Sequence, residues 1–149
     1  MDVAIDTSVL VGLLVPNDHW HKQAVKLWEA TKAQGHTPVY LDCVAAETIS
    51  VIVRRLEGKG LSAEIAGAIR RWEEHIPTGS ISWVLPDVPR LYPQIIALIR
   101  SSSGALNFND ALIALACRER GIEAIASFDE DFDQVDWLRR LARAEDLKG

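Results

Sequence analysis

Residues 1–15 read MDVAIDTSVLVGLLV, and the fold is decided by how the apolar residues on either side of Asp6 are parsed. Val3, Ala4 and Ile5 fit a short buried strand over residues 2–6. Ser8 to Val15 fit a short helix stopped by Pro16-Asn17. A strand running straight into a helix opens an α/β unit. It also leaves Asp6 between two segments that are buried on any reading, where an uncompensated carboxylate costs several kcal/mol.

The same alternation continues along the chain. His19 to Gln34 is helical, with Ala24, Leu27, Trp28 and Thr31 on one face and Gly35 as its stop. Pro38 to Leu41 reads as a second strand and Cys43 to Leu56 as a helix ended by Gly58 and Gly60. Ser62 is placed to cap a further helix carrying Ile65, Ile69, Trp72 and Ile76 before Pro77. Ser80 to Leu85 is expected to be a third strand, and Leu91 to Arg100 a helix with Pro93 in its first turn. Asn107 to Arg120 is a strongly apolar helix closed by Gly121, Ile122 to Ala126 a fourth strand, and Trp137 to Leu141 fits an edge strand or a helix. Apolar strands separated by helices imply a three-layer α/β/α sandwich around a mostly parallel sheet of four to five strands.

A chain of 149 residues that is 48% hydrophobic has enough apolar material for one core, and no repeat or linker divides it, so a single domain spanning 1–149 is expected. No apolar run reaches the ~18 residues of a membrane span. The start lacks a basic, then apolar, leader, so a cytoplasmic protein is expected. Cys43 and Cys117 lie in apolar helical patterns and read as small buried hydrophobes. A net charge of −5 speaks against simple electrostatic binding of nucleic acid.

In a parallel α/β sheet, ligand sites form where the strands end and the next helices begin. Four acids map to that edge. Asp6 ends the first strand, Glu47 lies near the start of the helix after the second, Asp110 is in the first turn of the helix before the fourth strand, and Asp129 follows that strand. Each has an ordinary explanation: Asp6 as a helix cap, Asp110 in a capping box with Asn107, Glu47 on a solvent face, Asp129 in a turn. No common edge is needed for those roles, and no Lys or Arg lies within three positions of Asp6, Glu47 or Asp110. Two carboxylates ~4 Å apart repel by about 4 kcal/mol at an effective dielectric of ~20. Such a cluster stays ionised beside a hard divalent cation, Mg²⁺ or Mn²⁺, bound through oxygen. A phosphodiester completing the ion's shell would reconcile the site with the acidic net charge.

Four stretches, IDTSVLVGLL, AAETISVI, LNFNDALIALA and IASFDEDFD, taken in this order, resemble PIN-domain ribonucleases, and most closely VapC-type toxins of toxin–antitoxin pairs. The resemblance covers essentially the whole chain. It implies that Asp6, Glu47, Asp110 and Asp129 hold Mg²⁺ or Mn²⁺ and cleave RNA, leaving a 5′-phosphate and a 3′-hydroxyl. Thr7 or Ser8, together with Ser127, would orient carboxylates or waters. Asp131 competes with Asp129 for the last position. The implied partners are an RNA substrate, a cognate antitoxin covering the cleft, and a second copy of the chain in a homodimer. Related domains process RNA without being toxins, or bind without cutting.

Other features are read plainly. His19 and His21, two apart, do not share a helix face for a metal. The five tryptophans are assigned to core or dimer interface, and Arg54, Arg55, Lys59, Arg70, Arg71, Arg139, Arg140 and Arg143 mostly to solvated surface, with some available to a polynucleotide. No glycine-rich phosphate loop or Ser–His–Asp set is found. Asp87 could mimic the acceptor of a phospho-receiver domain, but the acidic pair after the first strand and the late Lys of that family are missing.

Overall fold

A computed structural model describes residues 1–148, and Gly149, the last residue of the expected domain, lies outside them. Val3, Ala4 and Ile5 of strand β1 (Asp2–Ile5) are each at most 1% exposed. Successive strand side chains point to opposite faces, so three buried in a row require cover on both sides of the sheet. Ala124, Ile125 and Ala126, the whole of β4, are buried in the same way. The sheet is therefore the middle of three layers.

Between these strands the chain forms α1 (Thr7–Leu14), α2 (His21–Ala33), β2 (Thr37–Leu41), α3 (Asp42–Gly58), α4 (Ile65–His75), β3 (Ile81–Ser82), α5 (Val88–Ser101) and α6 (Phe108–Glu119). After β4 come a 3₁₀ turn, Glu130–Gln134, and β5 (Arg139–Leu141). Strand order is β3-β2-β1-β4-β5, every neighbouring pair parallel. The chain thus winds outward from β1 to β3, then returns to the other side of β1. Ile5 pairs with Ala126 at that reversal.

Several boundaries differ from the sequence reading, each for a local reason. The third strand is only Ile81–Ser82, because the N–H groups of Val84 and Leu85 donate to the buried Asp42 carboxylate, both at 2.9 Å, instead of to a strand. Ser62 does not cap α4. A 3₁₀ turn, Ser62–Glu64, precedes the helix, closed by Glu64 N–H donating to the Leu61 carbonyl at 2.9 Å. Helix α5 begins at Val88, so Pro89 occupies the first turn, where a missing N–H costs nothing, and Pro93 falls inside the helix at the loss of one backbone bond. Of Trp137–Leu141, Arg139–Leu141 forms edge strand β5, and Trp137 lies in the turn before it with its indole N–H held by the Ala114 carbonyl at 2.8 Å.

Helices α1 and α2 cross at Gly12, where a β-carbon would stand 2.9 Å from Cβ of Ala24. Only glycine permits that approach. Cys43 and Cys117 are buried free thiols, each pushed up to about 12 by burial, as expected of inert packing groups. Among the described residues, no helix is long and apolar enough to cross a membrane.

Candidate active site

The winding reversal puts the ends of β1 and β4 side by side, and the crevice beyond such a switch point is where α/β sheets bind ligands. Asp6 sits there with its backbone fixed on both sides. Its N–H donates to the Ala126 carbonyl at 3.0 Å, and its carbonyl accepts from Val9 and Leu10 N–H at 3.1 Å. Although Asp6 occupies the N-cap position of α1, its side chain caps nothing. The carboxylate instead accepts from Ser127 Oγ at 2.7 Å and Ser8 Oγ at 2.9 Å. Ser8 Oγ also accepts from Phe128 N–H at 3.1 Å, and Ser127 Oγ from Asp129 N–H at 3.0 Å. The two hydroxyls therefore bind the end of β1 to the loop after β4.

The other acids approach from separate elements. Glu47 lies in the second turn of α3, where Oε2 accepts from Thr7 Oγ1 and from Asn109 Nδ2, each at 3.3 Å. Asp110, in the first turn of α6, forms a reciprocal capping box: its N–H donates to Asn107 Oδ1 at 2.9 Å, and its Oδ2 accepts from Asn107 N–H at 3.0 Å. Asp129 caps the 3₁₀ turn by accepting from Asp131 N–H at 2.9 Å. Capping and convergence coexist here. Asp6, Thr7, Ser8, Glu47, Asp110 and Asp129 all line one open cavity of about 300 Å³. Asp131 does not line it.

Burial raises the Asp6 carboxyl above the usual carboxylate range. The hydroxyls of Ser127 and Ser8 oppose that rise, and the charge of Glu47 adds to it. Asp110 is lifted to about 6, first by burial and then by the charges of Asp6, Asp129 and Glu47, against the hydrogen bond from Asn107. The cavity is thus a set of mutually repelling acids. Arg55 also lines it, but its guanidinium is paired with Asp18, another lining residue. Among the described residues no three carboxylate, imidazole or thiol groups stand close enough to make a ready-made chelating cage. The donor set suits a hydrated ion instead: oxygen donors only, excess negative charge, and room for water. Mg²⁺ typically keeps several waters and takes one or two carboxylates.

The residues 3–138 match the family described as the PIN domain. The chain belongs to the PIN-domain family. As a fold, this PIN domain is similar to VapC20 of Mycobacterium tuberculosis, a sarcin–ricin-loop-cleaving toxin. The TM-score is 0.68 at 23% identity, over 91% of this chain and 95% of that one. It is also similar to VapBC2 of Rickettsia felis, solved bound to a DNA fragment from its promoter. There the TM-score is 0.64 at 13% identity, over 95% and 98% of the two chains. A search of curated proteins returned no match.

Some residues of this PIN-domain cleft escaped the sequence reading. Asp18 sits in the turn after α1 and shows no spacing that links it to Arg55. Asp42 opens α3 directly after β2, on the same edge as Asp6, yet its carboxylate is spent on backbone N–H groups of Cys43, Val84 and Leu85. Trp20, assigned to core or interface, is 38% exposed at the cavity rim. His21 Nδ1 meets the Gly12 carbonyl at 2.7 Å and His19 packs edge-on against Trp20, so neither approaches a metal role. Asp87 lies outside this cavity and near Arg90 and Arg120.

Proposed function

We propose that this PIN domain is a metal-dependent endoribonuclease and the toxin of a toxin–antitoxin pair. The observation that carries the reading is the convergence of Asp6, Glu47, Asp110 and Asp129, from four separate segments, on one cavity whose lining arginine, Arg55, is already paired with Asp18. The fold likeness to toxins of the VapC type supports the biological role.

In this reading the four acids hold Mg²⁺ or Mn²⁺, and Asp129 rather than Asp131 takes the last position, since it alone of the two faces the cavity. The bound ion would neutralise the phosphodiester and make water a competent nucleophile. The protein's own part is positional. Ser127 and Ser8 fix the Asp6 carboxylate, Thr7 and Asn109 fix Glu47, and the capping box fixes Asp110. Groups locked in this way need no reordering when substrate arrives. The cut leaves a 5′-phosphate and a 3′-hydroxyl. Tyr92 and Phe108, both exposed with ring centroids 6.3 Å apart, supply apolar area for the expected homodimer. A cytoplasmic location and inhibition by an antitoxin complete the proposal.

A second reading is favoured by one observation: Asp110 and Asp129 each satisfy a backbone N–H, as purely structural acids would. A silent RNA- or partner-binding module, or an RNA-processing nuclease that is not a toxin, would share the fold. Cleavage of RNA by the purified chain, with EDTA and with Mg²⁺ or Mn²⁺ restored, separates these. The nuclease reading expects metal-dependent cutting that Asp6→Asn abolishes. Metal-indifferent melting with no cleavage would leave the silent module.

A further inference from the structure

We propose that the RNA strand leaves the acid cavity over a stacked Trp20–Phe128 platform and then runs along a basic trough formed by Lys22, Lys26 and Arg143. This rests on the nuclease reading above and names the path the substrate takes through it.

Three cavities adjoin and share walls. Trp20 lines both the acid cavity and a second one of about 320 Å³, which also includes Phe128, Gln23, Arg140 and Arg143. Gln23 and Arg143 in turn line a third, of about 300 Å³, with Lys22 and Lys26. The wall between the last two is fixed, since Gln23 Nε2 donates to the Ala142 carbonyl at 2.7 Å.

The Trp20 and Phe128 rings lie 4.7 Å apart and 18° from parallel, and Trp20 still exposes 38% of its surface. His19 packs edge-on against the same ring at 4.8 Å, so the part of Trp20 left open beside it, backed by Phe128, is the surface a nucleobase would meet, and base–aromatic stacking is tolerant of base identity. Both rings are fixed relative to the acids. Phe128 lies between Ser127 and Asp129, and the N–H of Trp20 donates to Asp18 in the cavity wall at 2.9 Å.

Charge follows the same direction. The acid cavity is negative. The middle cavity is mixed: Glu130 and Asp146 line it with Arg140 and Arg143, Arg140 is held bidentate by Asp133 at 2.8 and 2.9 Å, and Asp146 accepts from the N–H groups of Ala142 and Arg143. In the third cavity Lys22, Lys26 and Arg143 face only Glu145, and none of the three makes an ion pair among the described residues. Ions at the cleavage point, an aromatic step for a base and free cations for the next phosphates make a route for a single strand.

Single-turnover cleavage of a fluorescein-labelled single-stranded RNA, in Mg²⁺ and over a range of salt, tests the route. Trp20→Ala is expected to raise the half-saturating protein concentration about tenfold or more, and Trp20→Phe to recover most of the loss. Replacing Lys22, Lys26 and Arg143 together by alanine is expected to flatten the salt dependence by about 0.7 per lost phosphate contact. Parent-like half-saturation and salt slope in both the Trp20→Ala and the triple variant, with the parent cutting RNA, would overturn the route and leave the nuclease reading standing. A parent chain that neither binds nor cuts RNA would overturn both. Should Trp20→Ala lose its fold by circular dichroism, the triple variant decides alone, because all three cations are exposed.

Discussion

Ser127 donates a 2.7 Å hydrogen bond to the carboxylate of Asp6 across 121 residues of sequence, and its own N–H is held by the Leu141 carbonyl at 3.1 Å. One of the two hydroxyls that hold the central acid thus reaches it from the end of the neighbouring strand. Ser127→Ala removes that bond without removing a carboxylate. Cleavage is expected to fall about ten- to hundredfold, the range seen when groups behind a metal ligand are lost. Rate measurement at saturating Mg²⁺ checks it, and an unchanged rate would show that Asp6 needs no such support.

Asp129 and Asp131 are two residues apart, but only Asp129 faces the cavity. Asp129→Asn is expected to reduce cleavage strongly, whereas Asp131→Asn should stay close to the parent rate. The reversed ranking would move the fourth acid of the site to Asp131.

The pH dependence without metal has a definite sign. Asp6 and Asp110 are held above their ordinary values, Asp110 at about 6, with burial as the first cause in both. The folded state therefore binds protons more tightly at both, so their contribution to stability is full below about pH 4, and that of Asp110 is lost as pH rises through about 6. Asp133, held low by its hydrogen bond from Arg140, and Glu119, held low by that from Arg90, act with the opposite sign, their contribution being lost as pH falls through the acid end of the range. In EDTA, stability should fall by about 1–2 kcal/mol between pH 4 and 7, and Asp110→Asn should flatten the fall. Added Mg²⁺ should reverse it near neutrality. Urea melts across pH give the measurement.

Asp42 is 4% exposed and holds the N–H groups of Val84 and Leu85. Asp42→Ala strands the Val84 N–H in a buried place, while that of the half-exposed Leu85 can turn to water, at a cost of about 1–3 kcal/mol. The edge strand β3 is expected to loosen first, which hydrogen exchange at Ile81–Ser82 would register as lost protection.

Gly12→Ala puts a methyl group 2.9 Å from Cβ of Ala24 and pushes α1 away from α2, at about 1–3 kcal/mol. Because α1 begins immediately after Asp6, cleavage should fall further than stability alone explains. Parent-like activity would show that the acid is insulated from that helix.

Periodicity made the layer order, the four main strand positions and the edge carrying the acids legible, since buried parallel strands and amphipathic helices leave plain sequence patterns. The length of β3 was not legible, because it is cut short by a carboxylate 42 positions away on another element. Pro93 misled the start of α5, because the helix begins at Val88 with Pro89 in its first turn and carries Pro93 inside it. The Asp18–Arg55 pair and the exposed face of Trp20 depend on how the α1–α2 turn folds over α3, which no local pattern encodes.

The pairing of β1 with β4, and of β4 with β5, has a consequence for synthesis on the ribosome. The first acid lies on the first strand of the domain, but the hydroxyl that orients it and the strand that anchors that hydroxyl follow more than a hundred positions later. A partly made chain has no assembled cleft. Any power to cut RNA therefore waits until β5 has been made and has docked beside β4.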